Sequence, residues 1–137
     1  MSEKLIFNKN DTQKRLALNG DESNIFVFDP GDLNTRKEFY EASRKIKIKE
    51  RELDVKAKKI NPNNVEASLK LEEETFDYVA NLIDKVFGIG TSKKVCGKRK
   101  NLVVLANFLI ALTPYFAEYN KKAAEKYTNN LKNAGVL

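Results

Sequence analysis

The sequence predicts an α+β protein, mainly α, in which an N-terminal β-hairpin packs on a helical core and an antiparallel helical hairpin forms an arm. Three observations carry this. Phe76, Val79, Ala80, Ile83, Val86 and Phe87 recur at intervals of three and four, the spacing that lays one apolar stripe along a helix. A second run, Leu102 to Leu112, is apolar on nearly every side, so as a helix it must be covered by the rest of the chain or by another copy. Ahead of both, two short β-prone segments flank a turn.

The totals set the frame for these elements. A chain of 137 residues suits one domain with its own core: a hairpin region (1–29), a helical hairpin arm (30–87), a basic turn (88–100) and C-terminal helices (101–132). Its 25 Lys and Arg against 19 Asp and Glu give a net charge of +6, with the two signs interspersed, which is only a weak pull toward an acidic partner. Cys96 is the single cysteine, so no internal disulfide can form, and a reducing, intracellular setting is the simpler expectation. The opening residues lack the apolar stretch of a signal peptide. Leu102 to Leu112 falls short of the about 20 apolar residues of a membrane span and is expected to be a buried core helix.

Taken in order, Leu16-Ala17-Leu18-Asn19 and Ile25-Phe26-Val27-Phe28 read as strands around the turn Gly20-Asp21-Glu22-Ser23. Either Phe26 and Phe28 or Ile25 and Val27 must lie on a helix or a neighbouring chain, because a lone hairpin is marginal in water. In Asp29-Pro30-Gly31-Asp32 the first helix is expected to begin, with Asp29 as cap and Pro30 at the first helical position; Thr35 and Glu38 form an alternative capping box. From Arg36 to Ile60 the chain is highly charged, and Phe39, Ile46, Leu53 and Ile60 fall seven apart in a thin seam.

Asn61-Pro62-Asn63-Asn64 stops that helix. Val65, Leu69, Phe76, Val79, Ile83 and Val86 then supply the returning helix, each arm of the pair spanning roughly 35 Å at about 1.5 Å per residue. Asn101 is the predicted cap of the apolar helix. Pro114 predicts a restart there, with Thr113 as cap, or a sharp bend.

Catalytic chemistry finds little footing. Histidine is absent and there is one cysteine, which removes the commonest general base and any thiolate cluster, so the chain reads as a non-enzyme with no cofactor. Glu72-Glu73-Glu74 with Asp77 is the densest acidic group, and it reads as a solvated helix face. Gly88-Ile89-Gly90-Thr91-Ser92-Lys93-Lys94 has the ingredients of a phosphate cradle but the spacing of neither a P-loop nor a dinucleotide fingerprint; it reads as a helix stop and restart. Lys93, Lys94, Lys98, Arg99 and Lys100 form the strongest basic patch. Without exposed aromatics or a helix-turn-helix beside it, a protein-binding or solvated turn is preferred over a nucleic-acid site. Cys96 reads as a small buried side chain.

One resemblance spans nearly the whole chain. The residues carrying it are Leu16-Ala17-Leu18-Asn19-Gly20-Asp21, Phe28-Asp29-Pro30 with Phe39-Tyr40, Ile83 to Lys94, Leu112-Thr113-Pro114-Tyr115-Phe116, and Lys126-Tyr127-Thr128-Asn129. In this order they resemble the tail assembly chaperones of long-tailed phages and prophages of Gram-positive bacteria. That resemblance implies a small protein that coats the tape measure protein, keeps its apolar helices soluble and is displaced as the tail-tube protein polymerises. It also implies self-association into rings or spirals, residence in the host cytoplasm during assembly, and absence from the mature virion.

The candidate client or subunit interface follows from the apolar pattern: Ile25 and Val27 on the hairpin, Val79, Ile83 and Phe87 on the arm, and Phe108, Leu112 and Phe116 on the last helix. The competing expectations are a structural subunit of the tail, present in many copies in virions, and a small basic nucleic-acid binder acting through the five basic residues of the turn.

Overall fold

The computed structural model describes residues 1–135. The chain runs through strands β1 (Lys14–Ala17) and β2 (Ile25–Phe28) into helices α1 (Leu33–Lys58), α2 (Val65–Phe87), α3 (Thr91–Cys96) and α4 (Leu102–Asn133). It is thus mainly helical, with a two-stranded antiparallel hairpin packed on a helical core, as the patterning predicts.

Leu16 lies opposite Phe26, and Lys14 opposite Phe28. Because side chains alternate along a strand, this register puts Leu16, Phe26 and Phe28 on one face and Ile25 with Val27 on the other. Phe26 and Phe28 are buried and Val27 is exposed, which resolves the choice the sequence left open. β1 begins two residues before the predicted strand, and Leu18–Gly20 form a 3₁₀ turn instead of extending it. Asn19 takes φ 54 there, a left-handed conformation that asparagine tolerates.

The entry to α1 differs from the expectation. Asp32, not Asp29, is the cap, its carboxylate accepting from the Asn34 amide at 3.2 Å and the Thr35 hydroxyl at 2.8 Å. Thr35 therefore donates within the first turn rather than serving as a cap of its own. Asp29 instead closes the preceding turn, accepting from the Gly31 amide at 2.9 Å and from the Thr12 hydroxyl at 2.5 Å. Proline at position 30 thus sits in a turn before the helix, where its preset φ serves equally well.

α1 and α2 form the predicted antiparallel hairpin, with Asn64 accepting from the Ala67 amide to start the second helix. Packing is uneven along it. Phe39, Phe76, Val79 and Ile83 are buried near the body, whereas Val55, Val65 and Leu69 toward the tip remain exposed, so the thin seam holds at its base.

Gly88 ends α2 at φ 113 and Gly90 precedes α3 at φ 96, conformations open to glycine and strained for other residues. Asp84 stitches this stop and restart together: its carboxylate accepts from the Ser92 amide at 2.8 Å and the Ser92 hydroxyl at 3.1 Å. Asn101 caps α4 as expected, accepting from the amides of Val103 and Val104.

α4 then departs from the expectation of a restart, running as one helix through Pro114. Thr113 is not a cap; its hydroxyl donates to the Leu109 carbonyl at 2.9 Å. The reason lies in what flanks the proline. Leu112 and Phe116 are both buried in the same core, which holds the helix in line, while Pro114 itself is exposed, so the broken backbone bond falls on the solvent side.

Aromatic rings from the strand and three helices meet at the centre. Phe39 of α1 stacks on Phe116 of α4 at 4.3 Å, and Phe26 of β2 meets Phe108 of α4 edge-on at 5.2 Å. Phe87 of α2 lies edge-on to Phe26 at 5.3 Å. Such pairs add about 0.5–1.5 kcal/mol each beyond the area they bury.

Candidate functional site

At 100° per residue, α4 divides into a buried ridge and two apolar flanks. Leu105, Phe108, Leu112 and Phe116 form the ridge, all buried. They account for the 22% of the helix's most apolar 18-residue window that lies inside the protein; the mean hydropathy of that window is 1.5. By length and composition alone the helix could cross a membrane, unlike the shorter run read from the sequence. The expectation of a buried core helix thus holds for the ridge alone, and the other sides of α4 are largely uncovered.

The first flank is Val103, Ala106, Ile110 and Thr113, with Val103 66% and Ile110 68% exposed. It forms one wall of a groove of about 600 Å³. Tyr40, Ile46 and Leu53 of α1 form the other wall, and Val79 of α2 lies in its floor. α1 and α4 both pack on α2 and splay apart above it. A polar clasp sets their separation at one end: Arg36 donates to the Asn120 side-chain oxygen at 2.6 Å and lies over the Tyr119 ring at 4.9 Å, while the Asn120 amide donates to the Tyr40 hydroxyl at 3.0 Å. An apolar trough between two helices, with polar groups at its rim, is the geometry that takes a third helix by its apolar face.

The second flank, Val104, Asn107, Ala111 and Tyr115, borders a groove of about 700 Å³ beside β1. Arg15 through Asn19 line it consecutively. Arg15 to Ala17 belong to β1, Leu18 and Asn19 to the 3₁₀ turn after it, and Phe26 of β2 joins them, so the groove runs between the hairpin and α4.

These grooves redraw the predicted interface. Val79, Ile83, Phe108, Leu112 and Phe116 are buried in the chain's own core, and Phe87 and Ile25 are half-buried. Of the eight, Val27 alone is exposed. The largest apolar residues had been assigned to a partner, but being largest they fill the core first. The uncovered surface belongs to neighbours on the other sides of the same helix, Val103, Ala106 and Ile110, which an all-round apolar run does not distinguish from the ridge.

The basic patch is also broken up. Lys94 donates to the Ile25 carbonyl at 3.0 Å, and its own carbonyl accepts from Asn24, tying α3 to β2. Lys100 pairs with Asp77 at 3.0 Å and Glu73 at 3.7 Å, and its hydrogen bond to Asp77 raises its pKa. The acidic face of α2 thus docks the turn before α4, a role the sequence did not indicate. All five basic residues remain exposed, Lys94 and Lys100 included. Burial pushes the Cys96 thiol up, in keeping with a partly buried, unactivated side chain. No cluster of His, Cys, Asp or Glu able to hold a metal occurs among the described residues.

The fold defines a small, mainly helical protein with two apolar grooves beside α4. Residues 21–134 match the model of a family of unknown function, DUF6673, and the chain belongs to that family. No curated protein and no solved structure matches the chain.

Proposed function

We propose that this protein is a phage tail assembly chaperone that binds apolar helices of the tape measure protein and keeps them soluble until the tail-tube protein assembles around them. The observation that carries the reading is the uncovered flank of α4 facing α1, where Val103 and Ile110 stand more than half exposed along a helix-sized trough. A client helix laid there would bury the first flank of α4 and the facing side of α1 at about 25 cal/mol per Å² of apolar surface. Repeated weak contacts of this kind along an extended client would add up through multivalency. The resemblance of the Ile83–Lys94 and Leu112–Phe116 segments to such chaperones supplies the name of the client.

On this reading the protein is not an enzyme, works with no cofactor in the host cytoplasm, self-associates during assembly and is left out of the finished virion. The nucleic-acid alternative would act through the exposed Lys93, Lys94, Lys98, Arg99 and Lys100 and predicts a steep salt dependence of binding in a mobility-shift titration. Co-expression with the tape measure protein tests the proposal. The native chain is expected to move the client into the soluble fraction, and Val103→Asp with Ile110→Asp to abolish this while leaving the protein folded. A client equally insoluble with and without the native chain would overturn it, and many copies in purified virions would favour a structural tail subunit instead.

A further inference from the structure

We propose that the groove beside β1 receives the N-terminal segment of a second copy, with Leu5 and Phe7 entering it and the backbone adding a strand to the open edge of β1. The segment before β1 carries three bulky apolar residues in succession, and all of them stand in water: Leu5 is 86%, Ile6 88% and Phe7 70% exposed. None belongs to a helix or strand. Exposed aliphatic and aromatic residues placed together in this way mark a segment that lacks its partner.

The partner's requirements are met on the same molecule. β1 is paired on one side only, and the sheet has just two strands among the described residues. Between β1 and α4 lies the 700 Å³ groove, whose walls include Leu16, Leu18, Val104, Phe108 and Tyr115. The far edge of the sheet is less open, because Lys94 already occupies the Ile25 carbonyl there. In an extended segment Leu5 and Phe7 point the same way and Ile6 the other, so one strand would seat two large side chains against α4 while its amides and carbonyls satisfy the edge.

The arm leaves its own groove empty although it leads directly into β1, which directs it to another chain. Area decides the stoichiometry. Phe7 alone offers about 150–250 Å², and one three-residue arm covers too little for a specific contact. Two arms exchanged reciprocally, with the surfaces they cover, approach the roughly 1,200 Å² at which stable interfaces begin. A two-fold exchange, each copy giving an arm and receiving one, meets that requirement in the smallest closed assembly.

Two measurements on the full chain test this. Sedimentation velocity across a concentration series is expected to give a dimer, and Leu5→Asp with Phe7→Asp to weaken it at least about 100-fold, since two large apolar side chains lose their burial. The variant keeps the native helical circular dichroism because the arm lies outside every element. In a Cys96→Ser background, chains carrying Phe7→Cys are mixed with chains carrying Asn107→Cys and oxidised gently. A disulfide between the two kinds of chain is the expected product. A strict monomer, a dimer indifferent to the arm variant, or the absence of any disulfide between the two kinds of chain would each overturn the proposal. The trough variants at Val103 and Ile110 leave this dimer intact, so its loss and loss of client binding are separable.

Discussion

Replacing Phe116 by alanine tests the packing on which both grooves depend. Phe116 is fully buried, stacks on Phe39 at 4.3 Å and also approaches the rings of Phe28 and Phe87, so it joins α4 to α1, α2 and the hairpin at one point. Burial of about 150–250 Å² at about 25 cal/mol per Å² gives roughly 4–6 kcal/mol, close to the about 3–5 kcal/mol typical of Phe→Ala in cores. A chain of 137 residues has a total stability on the order of 7–15 kcal/mol, so the loss removes a large share of it. With an unfolding entropy of about 2.1 cal/mol/K per residue, the expected fall in Tm is about 10–15 °C. Thermal unfolding followed by far-ultraviolet circular dichroism reads it directly. Phe7→Ala is the matched control: the same side chain is removed from a site 70% exposed, and the change should stay within about 0.5 kcal/mol in dilute solution. Equal effects from the two substitutions, or a shift below about 3 °C for Phe116→Ala, would refute the described core.

Two further substitution or labelling results follow from the turn around α3. Asp84→Ala leaves the buried Ser92 amide without its acceptor and is expected to cost about 1–3 kcal/mol, with faster hydrogen exchange at Ser92; Asp84→Asn, which keeps an acceptor oxygen, should cost less. Cys96, whose thiol burial pushes up, holds less thiolate at a given pH than a free cysteine. Its alkylation by iodoacetamide near neutral pH should therefore be slower than that of a free thiol, rising only at pH values above the ordinary thiol range, and unfolding the protein should abolish the difference.

Periodicity made the elements legible because each is amphipathic at its own period. The spacing of Phe76, Val79, Ile83 and Val86 marks the buried side of α2, and Asn101 announces a helix start through a side chain that accepts from the first turn, whereas Asn64 reads only as part of a helix stop and proves to cap α2 as well. Where two local solutions were close in energy, the sequence could not choose. Asp29 and Asp32 are both competent caps, and the contact from Thr12, distant in sequence, engages Asp29 in the turn instead. At Pro114 local preference was overridden by Leu112 and Phe116, whose burial on either side outweighs one broken backbone bond. The interface was least legible, since residue type reports that a side chain avoids water without saying which neighbour covers it.

The two grooves owe their existence to side-chain size around α4. The ridge carries leucine and phenylalanine at Leu105, Phe108, Leu112 and Phe116, while the flanks set the smaller Val103, Ala106 and Thr113 beside Ile110 on one side and Val104, Asn107 and Ala111 beside Tyr115 on the other. Small residues next to large ones hold the neighbouring elements off the helix: α1 meets the ridge through Phe39, and the hairpin meets it through Phe26, so neither can close down on the flanks. Larger flank residues would have filled the space and made an ordinary core helix. Their absence leaves apolar surface open on two sides, at a hydration cost that a stable monomer has no reason to retain. Surface of that kind persists when something else covers it during function, and the different shapes of the two grooves, one helix-wide between helices and one between the hairpin and α4, separate a helical client from an extended arm.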